Sequence, residues 1–250
     1  MLKEIKNLFS FLTVIPLSMD EDMLAIVAKN MFLFPLIGAF IGLLAGLFGW
    51  LTSQFLPSLV VGALVLGVLL LITGLHHTDG LLDFGDGVMA HGSPERKIEI
   101  MHDQLTGAGG LSLGIMTLLI TAFSIAEIDA GTIIQGLIVA EVSAKLSMVI
   151  GASAGKAVHQ GMNSSFLEAM HGKKGVARLI VALMISFGIA LPLLWLAGAV
   201  VLLAGIVTSL IMLGISHRHF KGVTGDVLGA TNELTRMVSL ITLLAVAGWL

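Results

Sequence analysis

The chain has 250 residues, 56% of them hydrophobic and only 12% charged, with a formal net charge of −3 and no cysteine. Soluble domains carry nearer a quarter of charged residues, so this composition excludes an ordinary soluble domain and fits a polytopic membrane protein. The missing thiols exclude a disulfide framework, a thiolate nucleophile and a cysteine metal site, and no basic, aromatic-bearing patch marks a nucleic-acid partner.

Residues 2–30 open with Lys3 and Lys6 before a short apolar stretch, which Pro16 and the acidic run Asp20, Glu21 and Asp22 interrupt. This stretch is too short to span a bilayer and no small-residue cleavage site follows it. It reads as a retained interfacial or re-entrant segment, not as a signal peptide. Residues 31–51 form the first expected span. Within it Gly38, Gly42 and Gly46 recur at every fourth position, a stripe for close helix contact that also permits dimerisation into a homo-oligomer. Residues 57–75, 108–126 and 133–153 are the next three spans, 178–195 and 199–216 a tightly connected pair, and 237–250 a short seventh. Two polar loops are expected, at 154–177 and 217–236. The fold class is therefore all-α, a single membrane-embedded domain over residues 1–250 in contact with the lipid bilayer.

The basic residues alternate with these spans. Lys3, Lys6 and Lys29 precede the first, and Arg96 and Lys97 lie between the second and third. Lys156, Lys173, Lys174 and Arg178 lie between the fourth and fifth, and Arg218, Lys221 and Arg236 between the sixth and seventh. The intervening connections, 52–56, 127–132 and 196–198, contain no Lys or Arg. The positive-inside rule then puts the N-terminus and all the polar chemistry on the cytoplasmic face of a cell membrane. Lys145, four residues after Glu141, is the exception inside a span. Charges at that depth are paired or face a polar cavity, so the two are either an ion pair that fixes packing or part of a site's inner wall.

The chemistry concentrates in residues 75–110. Asp79, Asp83 and Asp86 fall at i, i+4 and i+7 and share one helical face over about two turns. Like charges stacked in this way repel. A solvated acidic face would tolerate them, but their neighbours are apolar residues and glycine, and hard oxygen donors at this spacing suit Mg²⁺. Ser93 and Pro94 mark a helix start that carries Arg96, Lys97 and Asp103 toward the same face. Arg96 and Lys97 would neutralise phosphoryl oxygens, with backbone N–H groups at Gly107–Gly110 assisting, although the glycines alone read as close packing. Asp103 is a further ligand or a general base. These features describe a site for phosphorylated substrates.

A second polar constellation covers residues 222–233, with Asp226 and Glu233 seven apart on one helical face and Thr224 and Asn232 beside them. It is either a second wall of the site or an ordinary capped loop and helix start. His76 and His77, close to Asp79, have a stronger positional case for binding than His217 and His219. A lone histidine at a membrane boundary is more often a packing residue.

Together these motifs resemble the cobalamin synthase family, the adenosylcobinamide-GDP ribazoletransferases. The resemblance rests on Gly74-Leu75-His76, Asp79-Gly80-Leu81, Asp83 and Asp86-Gly87, then on Ile100-Met101-His102-Asp103 with Gly107-Ala108 and Gly110. It extends to Phe11-Leu12-Thr13 with Ile15-Pro16, to Phe34-Pro35-Leu36-Ile37-Gly38, and to Thr224-Gly225-Asp226 with Leu228-Gly229-Ala230 and Glu233. The chain departs from the family where many relatives read Asp-Ser-Arg-Ile-Gly-Ala-Tyr-Gly. Here Asp103-Gln104-Leu105-Thr106-Gly107-Ala108-Gly109-Gly110 lacks the arginine and tyrosine, so no role for those side chains carries over.

The resemblance implies a Mg²⁺-dependent transfer of adenosylcobinamide phosphate from adenosylcobinamide-GDP to α-ribazole or its 5′-phosphate, with GMP leaving. The ribazole 5′-hydroxyl is the expected nucleophile. In that scheme Asp79, Asp83 and Asp86 hold metal, Arg96 contacts phosphate at the catalytic centre, and Asp103 is a ligand or the base. His76, His77, Lys97, Gly107, Thr224, Asp226, Asn232 and Glu233 bind substrate. A lipid synthase of the CDP-alcohol phosphotransferase type needs an arginine soon after its first Asp-Gly, which is absent after Asp79-Gly80. A transporter would place polar residues across several spans, and most spans here have nearly none.

Overall fold

The computed structural model describes residues 2–17, 22–158 and 162–249, so Asp20 and Glu21 of the N-terminal acidic run lie outside the described residues. The long apolar runs become helices because a bilayer offers no partner for unpaired backbone N–H and C=O groups. In order these are α1 (Leu2–Leu12), α2 (Met23–Lys29), α3 (Phe34–Ser53), α4 (Ser58–Thr73), α5 (His76–Met89) and α6 (Pro94–Met101). They continue with α7 (Ala108–Ala126), α8 (Ile133–Ala154), α9 (Met162–Met170), α10 (Gly172–Phe220) and α11 (Gly225–Ala245). Among the described residues, two short 3₁₀ turns, Met31–Leu33 and Ala247–Trp249, complete the helical elements, and a parallel bridge ties Ala157 to Val223.

The centre of the bundle is α8, buried along most of its length and packed against α3, α10 and α11. The glycine stripe of α3 faces it in antiparallel order. A Cβ added at Gly38 would stand 2.5 Å from the carbonyl oxygen of Glu141, one at Gly42 would collide with the backbone of Leu137 and Ile138, and one at Gly46 would lie 2.7 Å from the Cα of Ile134. The stripe is thus consumed inside the chain and is not available to pair two copies.

One expected boundary holds and another changes. The paired spans of residues 178–216 both lie in α10, whose 49 residues far exceed the roughly 20 needed for one crossing. Trp195 breaks it at φ 51° and ψ −133°, and Gly198 packs against Ala190, so the chain doubles back at this point. The expected polar loop at 217–236 shrinks to the few residues between α10 and α11. The short final span is instead the second half of α11, a continuous helix of 21 residues that begins at Gly225. Helix formation wins here because the polar groups of its first half find partners within the bundle.

By length and composition, four helices among the described residues are apolar enough to cross a membrane, or five if the bent pair α4–α5 counts as one span. The all-α membrane class stands, but the expected count of seven spans is not reached on these criteria. The element α10 counts once despite its reversal, and α11 carries Asp226, Glu233 and Arg236.

Candidate active site

The aspartate segment is positioned by a sharp turn. Gly74 ends α4 at φ 65°, and Leu75 follows at φ 65°, a left-handed conformation that costs a branched residue about 1–2 kcal/mol. Two such residues in succession turn α5 by 96° from the α4 axis. Helix α5 therefore leaves the direction of α4 and lies across the N-terminal ends of α7 and α11. Close approach at both crossings requires glycine: a Cβ at Gly80 would stand 2.9 Å from the Cα of Asp226, and one at Gly85 would stand 2.8 Å from the Cα of Gly110.

Both helix starts are capped from within the site. Asp86 accepts the Gly107 N–H at 2.6 Å and the Gly110 N–H at 2.8 Å, which satisfies two of the open donors at the start of α7. Thr224 caps α11 by accepting the Val227 N–H at 3.2 Å, and its hydroxyl lies 3.2 Å from the Asp226 carboxylate. The carboxylates of α5 and α11 are thereby brought to one face. Burial pushes the half-buried Asp83 carboxyl up to about 7, and the negative charges of Asp79, Asp226 and Asp86 push it further in the same direction. Without a cation, therefore, the Asp83 carboxyl holds its proton up to near neutrality.

This charge excess suits a hard divalent ion. No three His, Asp or Glu side chains among the described residues converge into a ready-made ligand set. A metal held at this face would therefore need donors beyond the protein side chains, such as substrate phosphate oxygens. Asp86, whose two oxygens serve the α7 cap, is the most committed of the three expected ligands. Its remaining lone pairs are still open to a cation.

Beside the aspartates lies a cavity of about 590 Å³. The short helices α1, α2 and α9 contribute Ser10, Phe11, Met23 and Phe166 to it, and the bundle contributes Met31, Phe34, Thr73 and Met148. Its polar end carries His76, His77, His102, Thr224 and Asp226, with His102 Nε2 3.9 Å from Asp226 Oδ2. His77 is buried and its Nδ1 has no hydrogen-bond partner among the described residues. The expected residues His76, His77, Thr224 and Asp226 therefore do meet, and Asp226 belongs to both the acidic face and the cavity.

Other expected site residues lie elsewhere. Asn232 and Glu233 are not on the cavity wall; they are fully buried in a polar network between α8 and α11. Lys145 Nζ donates to Asn232 Oδ1 at 2.7 Å, Asn232 donates to Glu233 at 3.0 Å, and Arg236 binds Glu233 at 2.5 Å and also pairs with Glu141. Lys145 stands 3.7 Å from Glu141. Glu141 and Lys145 thus belong to a packing network of two cations and two anions. Arg236, grouped by its position with the loop cations, is among the most deeply buried side chains.

The cations of α6 also turn away from the aspartates. Arg96 is exposed and pairs with Glu99 at 2.9 Å, while Lys97 lies 2.9 Å from His219 Nδ1 and 3.4 Å from the Val88 carbonyl. Ser93 caps this helix as expected, accepting the Arg96 N–H at 3.4 Å. Asp103 is exposed and accepts the Leu105 N–H at 3.2 Å, and Gly107 serves the Asp86 cap. The aromatic residues of the cavity are the group that motif reading left without a role. Phe11 and Phe34 stand in two of the family-like motifs, but only tertiary contact brings Phe166 to them.

Comparison with known proteins agrees across nearly the whole chain. The family model described as cobalamin-5-phosphate synthase matches residues 4–244. A curated relative from Methanococcoides burtonii, an adenosylcobinamide-GDP ribazoletransferase, is 33% identical over 96% of this chain and 90% of its own length. Relatives of the same name from Methanocella arvoryzae and Thermococcus kodakarensis are 35% and 31% identical, over 96% and 98% of this chain and 94% and 99% of theirs. No solved structure matches the chain.

Proposed function

Because the chain belongs to the cobalamin-5-phosphate synthase family, and so to the enzymes that join adenosylcobinamide-GDP to ribazole, we propose a Mg²⁺-dependent transfer at the α5–α11 face. In this reading the reaction uses α-ribazole or its 5′-phosphate. A ribose hydroxyl forms a bond to the cobinamide-bearing phosphorus, the bond from that phosphorus to the bridging oxygen breaks, and GMP leaves with the electron pair. With the 5′-phosphate as acceptor the 5′ position is already esterified, so in this reading another ribose hydroxyl attacks in place of the 5′-hydroxyl.

The observation that carries this reading is the joining of Asp226, from the start of α11, to the aspartates of α5, a coupling expressed in the raised Asp83 carboxyl. Asp79 and Asp83 are the residues proposed to hold the metal with the substrate diphosphate, and Asp226 faces it from the opposite helix. The ion would supply neutralisation of charge on the diphosphate and the departing GMP. The chain's own part is to orient the two substrates in line and to take the hydroxyl proton on a carboxylate of the cluster. In this reading the face lies on the cytoplasmic side of the cell membrane, a topology that the basic connections support.

The test is purified protein in liposomes with adenosylcobinamide-GDP, α-ribazole and Mg²⁺, assayed for GMP and a corrinoid product. Product formation should disappear with EDTA and with Asp83→Asn. Turnover undiminished in either control would remove the aspartate–metal assignment. No GMP release from folded wild-type protein would overturn the transferase reading.

A further inference from the structure

The cavity has a division of chemistry that the aspartate face lacks. One wall is aromatic: the ring centroids of Phe11 and Phe166 are 5.3 Å apart, and Phe34 lies 6.3 Å from Phe11 and 6.4 Å from Phe166. Met23 and Met148 extend this apolar surface, offering polarizable thioethers that adapt to a flat ring. The other end is polar and ends at Asp226, which the cavity shares with the reacting face.

Size decides which substrate can enter. A volume of about 590 Å³ lies within the range of roughly 300–1,000 Å³ that encloses a drug-sized ligand. One nucleoside fits it. A corrin macrocycle bearing an adenosyl group and a nucleotide arm has several times the mass of a nucleoside and does not. A guanosine end is small enough, but its base edge needs several hydrogen-bond partners, and the aromatic wall offers none.

Building on the transferase reading above, we propose that this cavity is the subsite for the smaller substrate. The flat, weakly polar aromatic base of the ribazole lies against Phe11, Phe34 and Phe166, with its ribose directed toward Asp226. His77, buried at the polar end with its Nδ1 unpartnered among the described residues, supplies a polar contact to the substrate. The corrinoid stays outside, and only its diphosphate reaches the aspartates. Because Phe11, Met23 and Phe166 come from α1, α2 and α9, these short helices help to select the base.

The experiment separates binding from turnover. α-Ribazole is titrated calorimetrically into the full chain in nanodiscs without corrinoid, and the KM of each substrate is then measured. Phe166→Leu keeps apolar volume but removes the aromatic face, and Met23→Trp fills the cavity from its partly exposed edge. Wild type should bind α-ribazole saturably. Phe166→Leu should raise its Kd and KM roughly five- to hundredfold, the range of base–aromatic stacking, with the KM for adenosylcobinamide-GDP changed less than twofold. Met23→Trp should abolish α-ribazole binding. Absence of saturable binding by wild type, unchanged α-ribazole affinity in both folded variants, or a selective rise in the corrinoid KM would overturn the assignment. Should wild type release no GMP, the transferase reading fails separately, and the calorimetric arm still decides the cavity.

Discussion

Asp86 and Gly107, 21 positions apart, are joined by a 2.6 Å hydrogen bond from the glycine N–H to the carboxylate, and the second carboxylate oxygen takes the Gly110 N–H at 2.8 Å. An acidic residue that reads in sequence as one of three equivalent metal ligands is thus also the cap of α7. Asp86→Ala should lower stability by about 1–2 kcal/mol, seen as a lower unfolding temperature in detergent. Asp86→Asn should lower it less, because its amide oxygen still accepts. Equal unfolding temperatures for wild type and Asp86→Ala would contradict the cap.

The raised Asp83 carboxyl carries a pH signature. Its value of about 7 in the folded chain lies above its ordinary value of 3.8, so the folded state holds the proton more tightly than the unfolded state. The resulting stabilisation is complete below about pH 4 and declines as the pH rises to about 7. With EDTA, the unfolding temperature should therefore fall over this window. Saturating Mg²⁺ should reduce the slope, and Asp83→Asn should flatten it. A slope that survives Asp83→Asn would assign the titration to another group.

The network of Glu141, Lys145, Glu233 and Arg236 balances two positive against two negative charges at zero to 2% exposure. Arg236→Met removes one cation and leaves Glu141 and Glu233 in excess, which should cost roughly 3–5 kcal/mol. The expected result is loss of folded protein on size-exclusion chromatography. Any folded fraction should keep its substrate KM values, because the network lies behind the cavity and not on its wall.

The glycines of α3 give a paired comparison. Gly42→Ala should disrupt the α3–α8 contact, since its Cβ meets the Leu137 carbonyl and the Ile138 backbone, whereas Gly67 on α4 has nothing within 4 Å of an added Cβ. Gly67→Ala should be neutral or slightly stabilising, as an alanine is favoured over glycine in a helix by about 1 kcal/mol. Thermal unfolding of the two variants side by side checks both expectations.

Local chemistry along the chain determined the membrane class, the spans at residues 108–126 and 133–153, the Ser93 cap and the pairing of acidic motifs with one face. Those features follow from apolar run length, capping geometry and helical spacing, which act over a few residues. The family resemblance was legible for the same reason, because it lives in short ordered motifs. What α5 does was decided only by tertiary structure. Successive left-handed residues at Gly74 and Leu75 turn it across two helix ends, which commits Asp86 to a cap and brings Asp226 to Asp83. The fate of charged residues was decided there too. Burial drew Asn232, Glu233 and Arg236 into a network with Glu141 and Lys145, and packing set Lys97 beside His219, because a side chain's best partner depends on which elements the fold sets beside it. The aromatic cavity belongs to the same category: Phe11, Phe34 and Phe166 lie on three separate elements, and only packing makes them one surface.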